Sequence, residues 1–107
     1  MNLKIGICDD DAAQVTMTEA LTAQWVHKNG HSAVINTYKN AESLLFDFEG
    51  ESDFDILLLD IEMGDMNGVM LAKNIRKKSE TVQIIFITGY SDYISDGYDV
   101  AGASFFF

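Results

Sequence analysis

The sequence predicts one doubly wound α/β domain on a five-stranded parallel sheet, and three observations carry that prediction. Five short apolar runs alternate with stretches of helical character. Two of the runs, Ile56 to Leu59 and Ile84 to Ile87, are apolar at consecutive positions, as strands buried on both faces are. The 107 residues suffice for one core and are too few to divide between two domains, so residues 1–107 are read as a single unit.

The runs are Leu3 to Cys8, Ala33 to Tyr38, Ile56 to Leu59, Ile84 to Thr88 and Ala103 to Phe107. Between the first two lies a helix that Asp11 can cap, with Gln14 at the return position of a capping box and Asn29-Gly30 at its end. Its apolar residues Met17, Leu21 and Trp25 recur at i, i+4 and i+8 and are expected to face the core. Asn40 can cap a second helix carrying Leu44, Leu45 and Phe48. Asn67 or Gly68 opens a third with Val69, Leu71, Ala72 and Ile75, and Ser91 can cap a short fourth with Tyr93, Ile94 and Tyr98. Strand-helix alternation of this kind gives right-handed crossovers and a sheet covered on both faces.

Composition excludes several functions. A formal charge of −10 with seven Lys and Arg argues against gripping nucleic acid, whose phosphates need clustered cations. No apolar run approaches membrane-spanning length and no signal peptide precedes the first strand, so a cytoplasmic protein without membrane contact is expected. The single cysteine, Cys8, cannot form an internal disulfide and sits inside an apolar run, where a small buried residue is the expectation.

In parallel sheets of this type, ligands bind outside the carboxyl ends of the strands, where the strand order reverses. The residues at those ends are Asp9 and Asp10 after the first strand, Asp60 after the third and Thr88 after the fourth. Three carboxylates brought together repel unless a cation or a proton is held among them. Oxygen ligands with no His or Cys beside them favour a hard ion, Mg²⁺ before zinc. A carboxylate next to such an ion can attack phosphorus, with Thr88 and backbone N–H groups of the loop from Ile61 to Gly64 holding the equatorial oxygens.

The segments Ile7-Cys8-Asp9-Asp10-Asp11, Leu57-Leu58-Leu59-Asp60-Ile61-Glu62-Met63, Met66-Asn67-Gly68 and Ile85-Phe86-Ile87-Thr88-Gly89 together resemble the receiver domain of two-component response regulators. The resemblance covers the whole chain, and the wording is similar to receivers that precede LytTR-type DNA-binding domains. It implies the flavodoxin-like strand order 2-1-3-4-5. It also implies Asp60 as phosphoacceptor, Asp9 and Asp10 as the acidic pair holding Mg²⁺, and Glu62 as the position whose backbone carbonyl is a metal ligand. Thr88 matches the switch hydroxyl and Phe106 the aromatic position whose rotamer follows it. The implied donor is a phosphohistidine on a sensor histidine kinase, and the implied output is a switch in self-association or partner binding that controls an effector domain.

Two departures accompany the resemblance. Gly64 replaces the usual proline after the phosphoacceptor, and the family's lysine and last helix are expected beyond Phe107. A truncated chain of that kind should leave the sheet face near the first helix partly covered and favour a homo-oligomer through Phe105 and Phe107.

Simpler roles are assigned elsewhere. Asp11 is read as a helix cap before a third ligand, and the Glu62 side chain as facing solvent or the metal's water shell. His27 and His31 are surface residues without a role, and Tyr90, Tyr93 and Tyr98 serve packing or partner contact. Two rival functions stand beside the receiver: an aspartyl-nucleophile phosphatase of the haloacid dehalogenase type, for which Asp60-Ile61-Glu62 offers a loose acidic motif and Asp9 and Asp11 have the same spacing, and a pseudo-receiver that binds partners without accepting phosphate.

Overall fold

The structure, a computed structural model, describes residues 2–51, 54–63, 67–87 and the strand 103–106. The expected helix at Ser91, the residues Thr88, Gly89 and Gly64, and the tyrosines from Tyr90 to Tyr98 lie outside the described residues. The elements in chain order are β1 (Asn2–Cys8), α1 (Ala12–Lys28), β2 (Ser32–Tyr38), α2 (Ala41–Glu51), β3 (Ile56–Asp60), α3 (Gly68–Arg76), β4 (Gln83–Ile87) and β5 (Ala103–Phe106).

The strands form one parallel sheet in the order β2-β1-β3-β4-β5. Ile5 of β1 pairs with Ile35 on one side and Ile56 on the other. Asp60 pairs with Ile87, which pairs in turn with Phe106. The chain runs from β1 outward to β2, then returns past β1 to β3. The crevice of the reversal therefore opens between the carboxyl ends of β1 and β3.

Period-two alternation divides the core between the faces of the sheet. Leu57, Leu59, Ile84 and Phe86 pack with Leu44 and Phe48 of α2 and with Leu71, Ala72 and Ile75 of α3 in one large buried cluster. On the other face Leu3, Ile5 and Val26 form a smaller cluster, against which Ile56 and Leu58 pack while only partly buried. On the α1 face β1 is thus buried through Ile5 and Ile7, whereas β3 is only partly covered at Ile56 and Leu58.

The helix ends follow the local chemistry read from the sequence. The Asp11 side chain accepts the N–H groups of Ala13 at 2.9 Å and Gln14 at 3.4 Å. That of Asn40 accepts from Ser43, and that of Asn67 from Met70. Helix α1 stops at Gly30, whose φ of +73° suits a residue without Cβ; its N–H donates to the His27 carbonyl and that of His31 to the Val26 carbonyl.

The apolar stripe of α1, expected to face the core, faces outward instead. Met17, Leu21 and Trp25 are 57, 53 and 48% exposed, whereas Thr18 and Val26 are buried, with Val15 and Thr22 half-buried. The inward face lies one residue, about 100°, away from the apolar stripe. Threonine can occupy it because the Thr22 hydroxyl donates to the Thr18 carbonyl at 2.7 Å, satisfying in the helix a group that would otherwise need water.

Gly50 lies inside α2 at negative φ, and nothing stands within 4 Å of where its Cβ would be. Gly50→Ala is expected to stabilise the domain by up to about 1 kcal/mol, because alanine loses less backbone entropy in a helix. Urea denaturation checks this through the shift in midpoint at unchanged slope.

Candidate metal and phosphoacceptor site

The crevice between β1 and β3 is built largely by backbone. The Asp9 N–H donates to the Tyr38 carbonyl at 3.1 Å, which ties the end of β1 to the end of β2. The Asp9 carboxylate accepts the Asp11 N–H at 2.9 Å. Asp11, capping α1, continues the chain of bonds, so its assignment as a cap holds. Asp60 is the last residue of β3 and its carboxylate accepts the Glu62 N–H. Ile61 and Met63 are buried on either side of exposed Glu62, which anchors the loop by alternate side chains.

Asp9, Asp10 and Asp60 each offer a carboxylate oxygen within 4.8 Å of the other two, with Asp9 buried, Asp10 exposed and Asp60 between. Burial and then the neighbouring charge of Asp9 push the Asp60 carboxyl up to about 7, although the Glu62 amide opposes the rise. Asp9 also rises, chiefly through burial. The Asp9–Asp60 side-chain hydrogen bond raises Asp60 and opposes the rise of Asp9, so of the two it favours the proton on Asp60. Cys8, next to Asp9 in the chain, is fully buried and its thiol is pushed up to about 12 by burial and then by the charges of Asp9 and Asp60. It stays protonated and its Sγ donates to Met63 Sδ at 3.5 Å, a packing role and not a nucleophile's.

Of the residues singled out in the sequence, three are brought together: Asp9, Asp10 and Asp60. Glu62 lies beside them through its N–H. Thr88 is outside the described residues, and Phe106 is described only as strand backbone paired to Ile87. Three contributors escaped the sequence reading: the Tyr38 carbonyl, the Met63 anchor on Cys8, and the approach of Gly68 to Asp60. Of these, Met63 alone left a trace, as an apolar residue at alternate spacing from Ile61.

The family described as the response regulator receiver domain matches residues 5–106. The chain belongs to that family. Among curated proteins this receiver domain is similar to the transcriptional regulatory protein NatR of Bacillus subtilis (strain 168), 32% identical over 98 residues, covering 92% of the chain and 40% of NatR. It is similar to accessory gene regulator protein A of Staphylococcus epidermidis, 29% identical over 109 residues, covering 98% of the chain and 46% of the relative. The chain therefore spans less than half the length of these relatives. Among solved structures it resembles the response regulator TrrA of Thermotoga maritima in complex with Mg²⁺-BeF, with a TM-score of 0.73, 28% identity, and coverage of 98% of this chain and 87% of that one. Receiver domains are signalling modules of two-component systems, and among the described residues no helix is long and apolar enough to cross a membrane.

The raised Asp60 of this receiver gives a pH prediction. Its native carboxyl holds a proton to about pH 7, whereas the unfolded one releases it near the ordinary 3.8. Between those values the native state binds more protons than the unfolded state, so stability falls as pH rises. Asp9 shifts in the same direction and adds to the fall. In chelator, the urea midpoint should be higher at about pH 5 than at about pH 8.

Proposed function

We propose that this receiver accepts a phosphoryl group on the Asp60 carboxylate from a phosphohistidine of a sensor histidine kinase, and that the modification switches self-association or partner contact. The single observation that carries the reading is the convergence of Asp9, Asp10 and Asp60 within 4.8 Å at the switch point of the sheet. The all-oxygen donor set, partly buried and open through Asp10, fits Mg²⁺, for which the three carboxylates and the Glu62 backbone carbonyl are the proposed ligands. That the similar TrrA receiver was solved with Mg²⁺-BeF supports the same chemistry. Bound there, the ion offsets the negative charge of the site and of the phosphoryl oxygens.

The chain's own residues do the rest. Asp60 reacts as the carboxylate, so the proton that burial favours in the metal-free site must leave first. One of its oxygens then forms the new P–O bond as the donor's P–N bond breaks, the electron pair going to the imidazole nitrogen. Asp9 is fixed by the Asp11 N–H and the Tyr38 carbonyl, and so cannot swing away as charge changes. Thr88 is proposed as the switch hydroxyl and Phe106 as the aromatic that follows it. The relatives' names, both of regulatory proteins, support a larger protein whose effector part acts on transcription.

Intact-mass measurement with a small phosphodonor tests the reading. One phosphoryl addition is expected with Mg²⁺, none in chelator, and little in Asp10→Ala. Addition that ignores both the chelator and Asp10→Ala would contradict it.

A further inference from the structure

We propose that Gly68 is a positioning residue for the phosphoacceptor, a contact through which the first turn of α3 fixes the peptide that joins Asp60 to Ile61. The inference rests on the reading of Asp60 above. Neither of the usual reasons for glycine applies here. Gly68 is not among the residues at positive φ, so alanine could adopt its backbone conformation. It is the first residue of α3, where alanine is the better helix former. What excludes a side chain is space. A Cβ at position 68 would overlap the Asp60 carbonyl oxygen and would stand 2.9 Å from the carbonyl carbon and 3.0 Å from Ile61 Cα. All three are backbone atoms and cannot rotate aside as a side chain does.

The contact is also bonded, because the Gly68 N–H donates to the Ile61 carbonyl at 2.8 Å. Neither side is free to retreat. Helix α3 is held by Leu71, Ala72 and Ile75, all fully buried, and Asp60 is held in register with Ile87. One residue beyond Ile61, the Glu62 N–H donates to the Asp60 carboxylate. A methyl group at position 68 therefore displaces the peptide that orients both the acceptor and the proposed Glu62 carbonyl ligand. Residues that orient metal ligands without touching the ion typically change affinity 10- to 100-fold when altered.

The test compares Gly68→Ala with Asn67→Ala, which removes the α3 cap but adds nothing against Asp60. Both are made in the wild-type chain and in the Gly50→Ala background. Mg²⁺ affinity by titration calorimetry and the rate of phosphoryl addition at saturating Mg²⁺ are read beside thermal stability. The expectation is that Gly68→Ala folds, binds Mg²⁺ roughly 10- to 100-fold more weakly and is phosphorylated more slowly, while Asn67→Ala loses stability and keeps wild-type affinity. Wild-type affinity and rate in Gly68→Ala would overturn the proposal, as would equal losses in Asn67→Ala. A Gly68→Ala chain that folds in neither background would overturn it too, since the glycine would then be a requirement of the fold and not of the site. If the wild-type chain took neither Mg²⁺ nor phosphate, the reading of Asp60 would fail and this inference with it.

Discussion

Phe86→Ala is expected to destabilise the domain by about 3–5 kcal/mol. Phe86 is 0% exposed, sits on β4 opposite Leu59 of β3, and belongs to the cluster that joins the sheet to α2 and α3. Its removal costs the transfer free energy of the ring and leaves a cavity that two anchored helices cannot close. Against a whole-domain stability of roughly 5–15 kcal/mol, such a loss brings the chain to the edge of unfolding. Phe46, of the same chemistry but 79% exposed on α2, supplies the contrast: Phe46→Ala should change stability by less than about 0.5 kcal/mol. Urea denaturation of the two variants side by side checks the difference.

Asp60→Asn is expected to have the opposite effect on the metal-free protein and to cancel its response to metal. At neutral pH, Asp9, Asp10 and Asp60 confront one another across at most 4.8 Å, and the burial that raises Asp60 is a cost of charging it in place. Asparagine keeps the shape and removes the charge. In chelator above about pH 7, the variant should therefore be more stable than the wild type, and the fall in stability between acid and neutral pH should flatten. That flattening separates the site from the general self-repulsion of a chain with net charge −10, which Asp60→Asn changes by one unit. In the wild-type chain Mg²⁺ should raise the midpoint, by the equivalent of about 2.7 kcal/mol at a hundredfold excess over its dissociation constant. Thermal unfolding of both proteins with Mg²⁺ and with chelator checks this, and an equal Mg²⁺ shift in the two would contradict it.

What was legible in the sequence depended on the distance over which the cause acts. Caps are written within three residues, and Asp11, Asn40 and Asn67 all act as read. The acidic site was legible for a different reason: strand ends in a parallel sheet share one rim, so Asp9, Asp10 and Asp60 could be placed together from topology alone. Helix α1 was misread because polarity stood in for burial. Thr18 and Thr22 occupy the inward face, where the Thr22 hydroxyl donates to the Thr18 carbonyl, and the apolar residues one position along remain half exposed. The close approach of Gly68 to Asp60 lay beyond reach, since a glycine chosen for space and one chosen for φ read alike in a sequence.

The most direct measurement is the position of the phosphoryl group itself. After phosphorylation with Mg²⁺, borohydride reduction converts an aspartyl phosphate to homoserine, and peptide mass mapping then locates the altered residue. Homoserine at position 60 and at no other aspartate is the expected result. Modification at Asp9 or Asp10, or a phosphorylated chain with Asp60 intact, would contradict the assignment of Asp60 as the acceptor.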